Sequence, residues 1–164
     1  MLRPRITPCL LVHNGGLVKT VRFAEPKYVG DPINTVRIFN ELEVDKLVLL
    51  DITATHDHQR PQLELLSEIA TECFMPFTYG GGVRTIDDMT ELFTRGAEKV
   101  AINSEALATP SLIEKAAARF GSQAVVVSID VRKRRLLGGY GVHTRGGRHD
   151  ARVDPVTYAR RVEA

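Results

Sequence analysis

The chain has 164 residues, 43% hydrophobic and 26% charged, with a formal net charge of +2. That suits one globular domain with a real core, spanning 1–164, and gives no argument from charge for a nucleic-acid or membrane partner. No apolar run approaches the roughly 18 residues of a membrane span. The stretch after Met1-Leu2-Arg3-Pro4-Arg5 is too short for a signal peptide, and the isolated Cys9 and Cys73 suit a reducing cytoplasm without disulfides.

Short apolar, β-rich runs alternate with helical patterns along the chain. Ile6 to Val12 reads as a first strand, followed by a long polar loop from Gly15-Gly16 to Gly30-Asp31-Pro32. Asp31 is a good N-cap and Pro32 a good first residue for a helix over Pro32 to Glu43, with Val36, Phe39 and Leu42 on one face. Leu47 to Leu50 is a second strand, apolar on both faces as in a helix-covered parallel sheet, and it ends at Asp51. A helix over Pro61 to Cys73 leads to a third strand, Pro76 to Tyr79, which runs into Gly80-Gly81-Gly82. Thr85 caps the next helix, supported by Asp87 and Asp88, and that helix stops near Gly96. Lys99 to Ile102 is a fourth strand closed by Asn103-Ser104, Pro110 to Phe120 a helix, and Ala124 to Ile129 a fifth strand ending at Asp130. A glycine-rich, basic stretch from Val131 to Arg152 reads as a hairpin excursion before a last helix that opens at Asp154-Pro155.

Five strand-helix alternations favour parallel strands with right-handed crossovers. The pattern alone fits a doubly wound sheet or a barrel. The clustering of Asp51, Gly80 to Gly82, Asn103 and Asp130 at strand C-terminal ends favours the barrel, whose active sites lie there. The expected fold is therefore α/β, an incomplete (β/α)8 TIM barrel of about five parallel strands. A complete barrel needs about 250 residues, so three strands are expected to be missing.

Three glycines at a strand end let backbone N–H groups approach an oxyanion, with the helix after Thr85 adding its positive end. A tight turn without a ligand is the plainer alternative. Asn103-Ser104 could complete the same phosphate cradle or be a plain helix cap. Asp51 and Asp130 could move protons at a barrel mouth, or merely cap loops and pair with arginines. His56-Asp57-His58 has loop-site spacing but no third ligand cluster, so no metal is expected, and His143 and His149 support no metal claim either. Arg132-Lys133-Arg134-Arg135 with Arg145, Arg148 and Arg152 could face RNA. With Tyr140 the only aromatic among them, a solvated hairpin beside an anionic-substrate site is the better account.

The sequence resembles the cyclase subunit of imidazole glycerol phosphate synthase. The matching segments are Arg5-Ile6 through Cys9-Leu10, Gly30-Asp31-Pro32, Leu50 to Ala54, Pro76-Phe77-Thr78 with Gly80-Gly81-Gly82, Lys99-Val100 with Ile102-Asn103, Pro110 to Ile113, and Phe120 to Val127 with Ile129-Asp130. The resemblance implies a phosphate-binding (β/α)8 barrel that takes ammonia from a glutaminase (amidotransferase) partner in a heterodimer. It implies cleavage and ring closure of a bis-phosphorylated ribulosyl-imidazolecarboxamide in histidine biosynthesis, with no metal or organic cofactor. By position, Asp130 would be one of two acid-base carboxylates. Gly81, Gly82, Asn103 and Ser104 would hold one substrate phosphate, Lys19 would belong to a mobile loop, and Asp51 would support the substrate. Arg5 and Lys99 would line the ammonia gate at the opposite face.

The sequence departs from the family pattern at two of these places. Leu11 stands where the second acid-base aspartate falls, and leucine transfers no proton. Lys46 stands where the gate usually has an acid, so Arg5, Lys46 and Lys99 would repel one another unless Glu43 or Glu98 moves in. The second phosphate site and a further mouth carboxylate belong to later strands, so this chain alone is expected to be inactive. Leu11 with Asn14 to Lys19 looks more like a paralogous branch that works with amidotransferases in acetamidino-sugar formation. A third possibility is a non-catalytic barrel piece that binds phosphate and a partner.

Overall fold

The architecture was read from a computed structural model that describes residues 4–21, 24–56, 59–134 and 138–164, at 55 and 56 the backbone only. A seven-stranded sheet has the order β3 (Ala24–Gly30), β2 (Gly16–Val21), β1 (Cys9–His13), β4 (Leu47–Asp51), β5 (Phe77–Gly80), β6 (Lys99–Ile102), β7 (Val125–Val127), and a three-stranded sheet has the order β10 (His149–Asp150), β9 (Tyr140–Thr144), β8 (Asp130–Lys133). In the large sheet, β1 (Cys9–His13), β4 (Leu47–Asp51), β5 (Phe77–Gly80), β6 (Lys99–Ile102) and β7 (Val125–Val127) are successive parallel neighbours. These are the five parallel strands the sequence predicts, and the sheet does not close on itself.

The stretch after β1 differs from the expected loop. It forms an antiparallel hairpin, β2 (Gly16–Val21) and β3 (Ala24–Gly30), with β2 paired to the end of β1. The hairpin was hidden because β3 is exposed at six of its seven positions and carries charges, so it has no apolar face to read. β1 itself begins three residues later than the apolar run suggests. Two short helices also escape the pattern, α2 (Ile52–His56) and α5 (Ser104–Ala108), each too brief to show a helical period.

The longer helices follow their signals. α1 (Pro32–Glu41) is capped by Asp31, whose side chain accepts from Asn34 N, with Pro32 in the first turn. α3 (Leu63–Glu72), α4 (Ile86–Thr94) and α6 (Pro110–Phe120) share with α1 and the sheet one core of Val36, Leu47, Leu49, Leu66, Ile69, Phe77, Met89, Leu92, Val100, Ile102 and Leu112. α4 and α6 also meet through Phe93 and Phe120, whose ring centroids lie 4.7 Å apart. A one-turn 3-10 helix at Ser122–Ala124 takes the first residue of the expected fifth strand.

Only one face of the parallel sheet is covered. Leu47 and Leu49 are fully buried against helices, whereas Val48 and Leu50, which alternate with them, are half-buried, and Val126 is 36% exposed. The strands are apolar on both faces, yet the second face lies open because five strands cannot wrap an interior. Asp130 does not end β7. It opens β8 (Asp130–Lys133), which pairs with β9 (Tyr140–Thr144) and then β10 (His149–Asp150), so the excursion is a small sheet with α7 (Pro155–Glu163) against β9. Among the described residues no helix is long and apolar enough to cross a membrane.

Candidate functional site

The glycine turn follows directly from β5. Gly81 and Gly82 have φ of +119° and +70°, backbone that L side chains rarely adopt. Both also sit against the β4–α3 region. A Cβ at Gly81 would lie 2.2 Å from the Asp51 carbonyl oxygen, and one at Gly82 would lie 2.7 Å from the Gln59 carbonyl oxygen. Close approach of two chain segments therefore requires these glycines whether or not an anion binds. Among the described residues, none accepts the N–H of Gly82 or Val83, which leaves those donors for a ligand.

The start of α4 is already compensated. Thr85 and Asp88 form a capping box, and Asp88 Oδ2 accepts from the N–H groups of Arg84 and Thr85 at 3.1 and 3.0 Å. Asp88 Oδ1 accepts from Arg60 Nε and Nη2 at 3.0 and 2.8 Å. Burial pushes the Asp88 carboxyl up, but these bonds outweigh it and hold the group below the usual carboxylate range. Asp88 thus takes the N–H groups of the two residues that lead from the glycine turn into α4.

Asp51 ends β4 and is buried, 2% exposed as a residue. Oδ1 accepts from Thr53 N and Ala54 N, and Oδ2 from Gln62 Nε2 at 2.8 Å and from the Tyr79 hydroxyl at 3.4 Å. Every acceptor direction is used internally, so Asp51 braces the strand end on which Gly81 rests. The Tyr79 hydroxyl is pushed up by burial and by Asp51.

Asn103 and Asp130 do come together. Asn103 Nδ2 donates to Ser128 O at 2.9 Å, and its side chain lies close enough to the Asp130 carboxyl to favour the charged form. Burial raises the Asp130 carboxyl above the ordinary range, while Asn103 and nearby His143 pull it partway back. Ser104 Oγ donates to Asn103 Oδ1 at 3.1 Å and accepts the Arg145 N–H at 3.0 Å, so it ties the small sheet to the end of β6. Because β5, β6 and β7 are neighbours, the glycine turn, Asn103 and the segment leading to Asp130 lie within two strand spacings, about 10 Å.

Lys19 is not brought to this cluster. It is exposed on β2 opposite Lys27, three strand spacings, or about 14 Å, from β5 along the sheet. Leu11 pairs in register with Leu50 on one side and Val18 on the other, an apolar position. Arg5, Lys46 and Lys99 all lie at the opposite, N-terminal ends of β1, β4 and β6. There Lys46 Nζ meets Glu98 Oε1 at 3.2 Å, and Lys99 Nζ donates to the Gln123 carbonyl. Glu98 is thus the acid that pairs with Lys46.

Asp57, His58 and Arg135 lie outside the described residues, and among the described residues no group of three metal-donor side chains assembles. The sequence reading passed over His13, at the mouth end of β1, whose Nδ1 lies 2.9 Å from Thr53 Oγ1. Its only sequence signal was a polar residue after an apolar run.

An open run of parallel β/α units with a glycine turn, an amide and a carboxylate towards strand C-terminal ends defines the α/β class built on the (β/α)8 plan. The chain belongs to the family described as "Histidine biosynthesis protein", which matches residues 5–164. It is 53% identical over 163 residues to a Pseudomonas aeruginosa protein named "Putative imidazole glycerol phosphate synthase subunit hisF2", covering 99% of this chain and 64% of that one. It is 45% identical to the imidazole glycerol phosphate synthase subunit HisF of Alkaliphilus metalliredigens over 99% of this chain and 64% of that protein. It is 44% identical to the same-named subunit of Streptococcus mutans over 98% and 63%. The chain spans less than two thirds of the length of these relatives.

Proposed function

We propose that the chain is part of an ammonia-dependent carbon–nitrogen lyase of the imidazole glycerol phosphate synthase type. The substrate is a bis-phosphorylated ribulosyl-imidazolecarboxamide, and the products are imidazole glycerol phosphate and aminoimidazole carboxamide ribotide. A glutaminase subunit supplies ammonia, and the step belongs to histidine synthesis in the cytoplasm. One observation carries this reading: Asn103, beside the desolvated Asp130 carboxyl, ends the strand next to the glycine turn, whose Gly82 and Val83 N–H groups meet no acceptor among the described residues. A phosphate held at Gly81, Gly82 and Asn103 would set the sugar beside Asp130, whose raised carboxyl suits proton transfer near neutral pH. Arg5, Lys99 and the Lys46–Glu98 pair would form the ammonia entrance at the other end of the sheet.

Two measurements test it. Amide shifts of Gly82, Val83 and Asn103 are expected to move on titration with inorganic phosphate, and their constancy would overturn the binding site. Ammonium-dependent turnover of the ribulosyl substrate by a version that carries the later strands, with and without a glutaminase subunit, is expected above background and to vanish in Asp130→Asn. No turnover under either condition removes the lyase reading.

Leu11 favours a second reading, in which an amidotransferase partner and this chain serve acetamidino-sugar formation. That reading expects phosphate binding, no ring closure, and no gain from restoring aspartate at position 11.

A further inference from the structure

Three ionisable side chains line up across the small sheet. In register, Asp130 of β8 faces His143 of β9, and His143 faces Asp150 of β10. Directly opposed residues of an antiparallel ladder point to one face with Cβ atoms about 4.5–5.5 Å apart. The imidazole therefore sits between two carboxylates, one of which is the group at the mouth of the large sheet.

The turns that set this register are glycine-made. Gly138 and Gly139 have φ of +66° and +73°, and Arg134 N donates to Gly139 O at 3.0 Å. Arg145, Gly146 and Gly147 turn β9 into β10 with φ of +54°, +63° and +77°. Gly141, two residues before His143 on the same face, leaves room for Asp150. A Cβ there would lie 3.4 Å from Asp150 Oδ1 and 3.0 Å from Arg134 Nε. His143 Nδ1 is buried and has no hydrogen-bond partner among the described residues. A buried ring nitrogen left without a partner, on the face it shares with two aspartates, calls for a role.

We propose that His143 is a positioning residue and proton partner for Asp130. Asp130 takes a proton from the bound ligand, the imidazole takes that proton from the Asp130 carboxyl, and the carboxylate is restored with the proton on the ring. In the reverse direction the imidazolium recharges Asp130 as an acid. The arrangement gives the site a second proton-handling group on the β8–β9 side, where Leu11 offers none from β1. Its use in turnover rests on the proposed acid-base role of Asp130, whereas the pairing does not.

Other charges around the ring act on the same balance. Arg132 shares its face opposite Gly141, Arg134 lies beside Asp150, and the Arg152 N–H donates to Asp150 Oδ1 at 2.8 Å. From α7, which packs against β9, the ionisable groups are Tyr158, Arg160, Arg161 and Glu163, of which Tyr158 is buried.

The test is a carboxyl 13C titration of Asp130 in the wild-type chain and in His143→Gln. An imidazolium beside Asp130 favours its charged form, so the substitution is expected to move the Asp130 midpoint to higher pH. An unmoved midpoint overturns the proposal. Asp130→Asn is the reciprocal variant, in which the ring 15N shifts of His143 are expected to change, and unchanged shifts likewise overturn it. Neither readout needs a substrate. A chain that turns nothing over fails the lyase reading, while the pairing stands or falls on the titrations.

Discussion

Replacing Gly81 with alanine isolates what the glycine turn does for the fold. The new Cβ would stand 2.2 Å from Asp51 O and 2.8 Å from Asp51 Cβ, on backbone with φ of +119°. Holding an L residue in such a sparsely populated region costs about 1–3 kcal/mol. Forcing the strand end of β4 to give way adds about 1–3 kcal/mol, as in overpacked cores. Asp51 cannot move freely, because its carboxylate holds Thr53, Ala54, Gln62 and Tyr79 together. The expected loss is about 2–6 kcal/mol against a typical domain stability of about 5–15 kcal/mol. Urea denaturation followed by circular dichroism reads this as a midpoint lowered by about 1–3 M, given a slope near 2 kcal/mol per M. Gly15→Ala is the matched control. Its φ is +78°, but a Cβ there meets nothing within 4 Å, so only the backbone cost of about 1–2 kcal/mol remains. Equal midpoints for the two variants would refute the claim that close approach to Asp51, and not φ alone, makes Gly81 obligatory.

Asp88→Asn removes the anion that holds Arg60 and the N–H groups of Arg84 and Thr85, and is expected to cost about 1–3 kcal/mol by urea denaturation at pH 7. The folded Asp88 carboxyl is held below its unfolded value, so its stabilisation is present above the ordinary carboxylate range and is lost as the pH falls through the folded value. The gap between Asp88→Asn and wild type should therefore close in acid, and a constant gap would contradict the assignment. Asp130 has the opposite sign: its raised carboxyl makes the charged form costly at pH 7. Asp130→Asn should raise the thermal midpoint at pH 7, match wild type once Asp130 is protonated, and abolish turnover. Leu11→Asp should raise ammonium-dependent turnover about 10²–10⁴-fold if a second carboxylate is what ring closure lacks. Arg37→Ala, which breaks an exposed pair with Glu72 at 2.7 Å, should change stability by less than about 1 kcal/mol.

The five parallel strands were legible because their apolar runs are continuous and each gives way to polar or glycine residues. Asp31, Thr85 and Asp154 announce helix starts that the structure keeps. The β2–β3 hairpin was not legible, since its pairing depends on β1 and its outer strand has no buried face. Among site residues, Gly81, Gly82, Asn103 and Asp130 stand out by lying where apolar strands stop. How Asp51 and Ser104 are employed could not be read, because their partners Gln62, Tyr79 and Arg145 are 11 to 41 residues away. The place of His143 between two aspartates likewise depends on strand register, which turn geometry sets and composition does not.

Asp88 gives the corner around the glycine turn a property of its own. Its carboxylate joins Arg60, next to the Gln59 carbonyl on which Gly82 rests, to the first residues of α4. The turn is thus clamped from both sides by a resident anion. A ligand entering there finds its donors preorganised and loses little affinity to ordering the backbone. By the same token, binding at this corner should leave α4 where it stands and transmit little movement through it.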